Sequence, residues 1–200
     1  MMFWRLSLAA LATLLLLAAP PAKADEASAR AEAMVRGFVG DCVAARANTA
    51  DLRKAEGTRA ILRRSIDVGG VAETVLGRWW KKMAPAQQAR FKSLFDGYLV
   101  ATFDFGDLSN DIATLGLDRD GDLATIHTRI ADPDGGTPTL FDWVVKDGPS
   151  PLIVDVMVDG QSLAKTTSGD FTAVLRGNGG DIDGFLDKLS DKVKALEGRG

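Results

Sequence analysis

The 200-residue chain has one cysteine, one histidine and one tyrosine, and beyond its first two dozen residues it has no long apolar run. Each shortage excludes something. A single cysteine leaves no internal disulfide, so the fold stands on its hydrophobic core alone. A single histidine leaves no His/Cys cluster at metal-ligand spacing, and no G-x-S-x-G or phosphate-cradling glycine loop occurs either. There is no basic run, and the overall balance is acidic, which argues against nucleic acid as a partner and against sustained adsorption to anionic lipid. The lone cysteine, Cys42, sits in an apolar helical pattern and reads as a small buried side chain, not a reactive thiol.

The long apolar stretch that does exist is N-terminal. Arg5 precedes an apolar run from Leu6 to Ala19, and Ala22-Lys23-Ala24 follows. A positive start, a short apolar centre and an A-x-A end describe a secretory signal peptide. A membrane anchor fits less well, because roughly 14 apolar residues fall short of the ~20 that cross a bilayer. No cysteine stands at the cleavage point to carry a lipid. The expectation is a leader over residues 1–24, cleaved between Ala24 and Asp25, and a soluble exported domain over residues 25–200. Loss of Arg5 and Lys23 with the leader takes the formal charge from −3 to −5. A domain of that length can bury a sizeable core.

What is present is organised around residues 75–105. From Pro85 the apolar residues Phe91, Leu94, Phe95, Tyr98, Leu99 and Phe105 fall on one helical stripe, with Arg90, Lys92, Ser93 and Asp96 off it. Pro85 suits the first turn of that helix, and Gly77 suits the end of the one before, placing Trp79 and Trp80 in the corner between them. Upstream, residues 26–46 read as a helix with Met34, Val35, Phe38, Val39 and Cys42 on one face. Residues 51–64 read as a second helix, interrupted at Gly57, and Asp67 is placed to cap a short third one.

After Phe105 the period changes to alternation. Residues 111–117, 123–131, 138–146 and 152–159 read as four strands parted by Asp/Gly/Pro turns, hence an antiparallel meander. Ala124, Ile126, Ile130, Phe141, Trp143, Val145, Leu152, Val154, Val156 and Val158 would share the apolar face. His127, Arg129, Asp142 and Asp155 would share the polar one, with Met157 as its exception. Phe171, Val174 and Leu175 mark a short helix ended by Gly177-Asn178-Gly179-Gly180. Asp181 then caps a last helix carrying Ile182, Phe185, Leu186, Leu189, Val193 and Leu196. The expected fold is α+β: N- and C-terminal helices packed on one face of a curved, four-stranded antiparallel meander.

Several of these stretches resemble one family. Leu76-Gly77, Trp80-Lys81, Ala84-Pro85 and Gln87, followed by Phe91…Leu94-Phe95…Tyr98-Leu99, are similar to the signature of the MlaC or toluene-tolerance family. Asp155-Val156-Met157-Val158-Asp159-Gly160-Gln161-Ser162-Leu163 and the ending Phe171…Leu175…Asp181…Phe185-Leu186…Leu189 resemble its later segments, so the likeness covers nearly the whole exported chain. Two departures stand out. Ala84 replaces the usual Ser or Thr before the proline, and Lys165-Thr166-Thr167-Ser168 replaces an Asn-Tyr-Arg segment. The resemblance implies a periplasmic lipid carrier that shuttles phospholipid between an outer-membrane lipoprotein complex and the membrane-anchored substrate-binding subunit of an inner-membrane ABC transporter. That role serves outer-membrane lipid asymmetry and solvent tolerance. It implies no cofactor beyond the bound phospholipid, or a hopanoid-like lipid as in the related HpnM branch. The sheet and helices would then enclose an apolar lipid cavity. Its expected lining is Val75, Leu76, Trp79, Phe91, Phe95, Tyr98 and Leu99 from the helices. Ile126, Ile130, Phe141, Trp143, Val154 and Val156 would come from the sheet, and Leu163, Phe171 and Leu175 from the chain beyond it.

Two other classes remain open from the residues. An enzyme of similar architecture would use His127 as a base oriented by Asp142 or Asp155, although alternation puts all three on the polar face, away from an apolar pocket. An interaction module without small-molecule cargo would use the same aromatics as plain core.

Overall fold

The computed structural model describes residues 23–46, 51–103 and 108–198. Among these the chain runs through α1 (Lys23–Arg46), α2 (Asp51–Ser65), α3 (Val68–Leu76), a 3₁₀ segment (Gly77–Lys82) and α4 (Pro85–Thr102). It continues through β1 (Ile112–Asp120), β2 (Leu123–Ile130), β3 (Thr139–Lys146), β4 (Leu152–Val158), β5 (Gln161–Ser162), α5 (Leu163–Gly177) and α6 (Ile182–Glu197). The expected leader, apart from its last two residues, and Phe105 lie outside the described residues.

The fold is α+β, as its pattern of elements indicates, with an antiparallel sheet in the order β1-β2-β3-β4-β5. Its fifth strand, beyond the four expected, is only two residues long. It is folded back by Asp159 and Gly160, whose φ values of 48° and 80° suit a two-residue hairpin turn matching the sheet's twist. On the same outer side of β4, away from β3, a parallel bridge joins Ile66 to Ile153.

Local chemistry sets the helix ends. Asp67 accepts a hydrogen bond from Gly70 N at 2.9 Å, and Asp181 one from Gly184 N at 3.0 Å. Gly77, at φ 51°, closes α3. At the start of α4 half a capping box survives: the Gln87 side chain accepts from Ala84 N at 2.9 Å, but Ala84 has no oxygen to answer it. Two sequence expectations are corrected. Gly57 does not interrupt α2, because Thr58, Ile61 and Leu62 are buried on one side of it. That burial outweighs the ~1 kcal/mol a mid-helix glycine costs. The helix around Phe171 is not short, since Ser162 caps it by accepting from Lys165 N at 3.0 Å and starts it at Leu163.

The buried side chains form two clusters, not one. The first joins the sheet to α1 and α2: Val35, Phe38, Cys42 and Leu62 meet Ile126, Ile130, Trp143 and Ile153. The buried Trp143 indole donates to Thr128 Oγ1 at 2.9 Å, and Thr128 donates to Phe141 O at 3.2 Å. The second contains no strand residue. It packs α3 and the 3₁₀ segment with α4, α5 and α6 around Phe91, Phe95, Phe171 and Phe185. At Gly97, α4 and α6 approach so closely that a Cβ would lie 3.1 Å from Val193 Cγ1. Helix α4 serves both clusters. Phe91 and Phe95 belong to the helical one, Val100 and the capping Phe103 pack on the sheet-side cluster, Phe103 edge-on to Phe38 of α1 at 5.9 Å, and Leu99 touches each.

Two outcomes follow. Ala84 has the extended backbone of an N-cap (φ −66°, ψ 155°), so Ala84→Ser completes the capping box. It is expected to raise stability by ~1 kcal/mol in denaturant unfolding. Burial pushes the Cys42 thiol up to about 12. A thiol reagent at neutral pH is therefore expected to label it only when denaturant is added.

Candidate functional site

Where the two clusters meet, their surfaces do not close completely. A cleft of about 100 Å³ lies between α3, α4, α5 and β4. Val71, Val75 and Phe95 are buried at the helical side and Ile153 at the sheet side, while half-exposed Leu163 stands at the rim. Asp155 is the one charged residue among those lining it. Beyond Ile66, which borders both, a wider polar groove of about 510 Å³ is flanked by Arg63, Asp67, Lys92 and Asp96. Its charges are already engaged, Asp67 as the cap of α3 and the others in ion pairs. Asp96 binds Arg63 at 2.8 Å and Arg59 at 3.2 Å, and Lys92 holds Glu73 at 3.0 Å.

Of the lining expected from sequence, Val75, Phe95, Leu99, Val154, Val156 and Leu163 do meet in this cleft. Leu76, Trp79, Phe91, Tyr98, Phe171 and Leu175 instead pack inside the helical cluster. Phe171 sits edge-on to Phe91, Phe95 and Tyr98 at centroid distances of 6.0, 6.4 and 5.4 Å. Trp79 lies beneath Lys82, whose Nζ is 4.7 Å from its ring centre. Ile126, Ile130, Phe141 and Trp143 fill the sheet cluster, with Trp143 edge-on to Phe38 of α1 at 5.7 Å. The expectation that the α4 stripe faces this part of the sheet is thus corrected. The aromatic stripe of α4 is matched by aromatics of α5 and α6, and α1 covers the sheet.

A bulge changes the face of β4. Val144 pairs with Asp155 but Val145 pairs with Ile153, which leaves Val154 without a partner of its own. Strict alternation would put Leu152 and Val154 inside with Val156. After the bulge it is Ile153 that is buried, and Val154 turns to the cleft.

His127 does meet Asp142, Nδ1 to Oδ1 at 2.7 Å, while its Nε2 faces Asp118 Oδ2 at 3.1 Å. Asp155 is not part of this group. Both ring nitrogens point at carboxylates, an arrangement that favours the doubly protonated imidazolium and leaves no free lone pair for a base.

A family model, that of the MlaC protein, matches residues 43–191, about three quarters of the chain. The chain belongs to the MlaC family. Among solved structures it is similar to the phospholipid-binding protein from Ralstonia solanacearum, determined in complex with a phospholipid. The TM-score is 0.70 at 20% identity, over 85% of this chain and 98% of that one. No curated protein matches by sequence. MlaC-type segments lie on both walls of the cleft: Val75, Phe95 and Leu99 from the central stretch, and Asp155, Val156 and Leu163 from the segment after the bulge. The sequence reading missed Ile66, Val71, Phe103, Ile153, Asp155, Ala164 and Thr167 as lining residues. Ile66 carried a signal, being an isolated apolar residue between α2 and the Asp67 cap. The others are placed only by tertiary packing.

The hydrogen bond to Asp142, the largest influence, raises the His127 pKa above its ordinary 6.5; desolvation opposes it, and a weaker hydrogen bond to Asp118 adds to the rise. The stabilisation this brings is complete below pH 6.5 and fades as pH rises through the folded-state value. An NMR titration of the single imidazole is expected to show a midpoint above 6.5. Asp142→Asn should lower it more than Asp118→Asn, since Asp118 is 83% exposed.

Proposed function

We propose that this protein is a periplasmic lipid carrier, ferrying phospholipid between an inner-membrane ABC transporter, through that transporter's membrane-anchored substrate-binding subunit, and an outer-membrane lipoprotein complex. The observation that carries this reading is the apolar cleft at the seam of two separately packed cores. Membership of the MlaC family supports it. So does the likeness in fold to a protein solved with phospholipid bound.

The physics of a ferry sets the requirement. Each tail methylene left in water costs ~0.8 kcal/mol, so a chain of some fifteen costs on the order of 12 kcal/mol. A soluble carrier must enclose most of that length. Sites for drug-sized ligands run to ~300–1,000 Å³, and the cleft is about 100 Å³. Loading two tails therefore parts the clusters along the seam. Few groups join them there: Leu99 and Ile66 touch both, Asp67 N donates to Ile153 O at 3.0 Å, and Asp155 of β4 accepts from Ser162 Oγ and Ala164 N. Each cluster keeps its own buried aromatics as the seam opens, so widening does not demand that either core be dismantled. A carrier has no task for a base, in keeping with His127 being held by two carboxylates on the outer face of the sheet.

The protein is expected to release phospholipid on extraction with organic solvent and to show the matching mass shift in native mass spectrometry. Val154→Trp and Thr167→Trp add bulk in the cleft. They should leave melting of the delipidated protein within a few degrees of wild type while lowering the loaded fraction severalfold. Ala124→Phe is the contrast. Ala124 is fully buried beneath α1, so added bulk there should cost ~1–3 kcal/mol of stability. If wild type carries no lipid and all three variants lose stability alike, the seam is ordinary core and the carrier reading fails.

A further inference from the structure

Asp155 is a carboxylate in a lining that is apolar but for Thr167, and its bonds account for its presence there. Oδ1 accepts from Val156 N at 2.8 Å and from Ala164 N at 3.1 Å, and Oδ2 accepts from Ser162 Oγ at 2.5 Å. Ser162 Oγ in turn accepts from Lys165 N at 3.0 Å. These bonds tie the bulged stretch of β4 to the first turn of α5. That turn is the outer wall of the cleft, supplied by Leu163, Ala164 and Thr167.

The rest of α5 is held differently. Between residues 163 and 170 no side chain is buried, and the first that is buried is Phe171, locked among the aromatics of the helical cluster. Gly169 separates the two parts, in the helix interior with open space where a Cβ would be. A glycine there weakens the helix locally. The N-terminal two turns of α5 thus combine no buried anchor, one hydrogen-bonded carboxylate tether and a soft point at their base.

Resting on the carrier reading above, we propose that residues 163–168 form the flap of the lipid cleft, hinged at Gly169 and latched by Asp155 through Ser162 and the Ala164 amide. Asp155 is then a positioning residue. It sets how often the wall opens, not what the cleft binds. The spacing from Asp155 to Ser162 and Leu163 follows from this geometry. A tight Asp159-Gly160 turn brings the helix start back beside the carboxylate that holds it.

The latch and the hinge predict opposite effects. Vesicles of phosphatidylglycerol and phosphatidylethanolamine containing a self-quenched, acyl-labelled fluorescent phospholipid serve as donors, and dequenching reports the uptake rate. Loss of a helix cap of this kind shifts a local opening equilibrium roughly fivefold to tenfold. Asp155→Ala is expected to speed uptake by that factor, Ser162→Ala by less, and Gly169→Ala to slow it severalfold by stiffening the hinge. Hydrogen exchange at residues 164–167 should rise in the first two variants and fall in the third, with or without lipid. If wild type takes up the probe and the three variants match its rate, the flap proposal is overturned while the carrier reading stands. If folded wild type takes up none, the carrier reading fails, and unaltered exchange at residues 164–167 would remove the latch as well.

Discussion

Helix α4 has to satisfy two hydrophobic cores at once, and the rest of the architecture follows from that demand. Its middle carries Phe91 and Phe95 into an all-helical cluster, and its C-terminal end brings Val100 and the capping Phe103 to the sheet-side cluster. One straight helix cannot present a single flat stripe to two differently shaped partners. The elements on either side are therefore fastened to it separately. Gly97 lets α6 lie against it, and half-buried Asp96 draws α2 to it through Arg59 and Arg63. The seam between the cores is the remainder of this compromise. Interiors normally close to near-crystalline density, with few voids larger than a water molecule. A space left where two well-packed units meet involves few contacts from either.

That division of labour separates stability from access. Aromatic packing is dense in the helical cluster, where Phe91 stacks on Phe95 at 5.6 Å and Phe171 meets Phe185 at 5.5 Å. The sheet cluster has its own contacts, with Phe141 stacked on Trp143 at 5.3 Å. Neither set crosses the seam. On the proposed carrier reading, a ligand entering there would displace aliphatic side chains of β4 and α5 and leave the rigid rings in place. The polar contacts that cross the opening are few, Asp67 N to Ile153 O and Asp155 to Ser162 and the Ala164 amide, so separating the walls exposes few unpaired donors.

Much of this was legible in the residues. Local codes worked where they are local. Asp67 and Asp181 as caps, Gly77 as a terminator and Asp/Gly-rich turns between strands each depend on a few neighbouring atoms. The stripe on α4 was also correctly read as a buried face. Its partner was not, because periodicity identifies a face and says nothing of what covers it. The aromatic surface opposite Phe91 and Phe95 comes from Phe171 and Phe185, and α1 took the sheet instead. The bulge at Val154 escaped for a related reason. A run of Leu152-Ile153-Val154 is apolar in either parity, so only pairing with Val144 and Val145 decides which side chain faces in. Gly57 and Ser162 misled in opposite directions. Tertiary burial carried α2 through the glycine, and a serine placed by a tight turn began α5 earlier than its apolar pattern showed.

The two margins of the sheet bear on life in a crowded compartment. β4 would expose free backbone N–H and C=O groups along its outer side, but the Ile66 bridge occupies one part and β5 another. β1 is the other margin, and there the register slips at Leu115 and the strand ends in Asp118, Arg119 and Asp120. A slipped, charged border is a poor template for a neighbouring chain. If the seam opens to load lipid, as the proposed function requires, the protein is most vulnerable to self-association while it is open. Closing both borders of the sheet in advance removes the commonest route by which that exposure would turn into polymer.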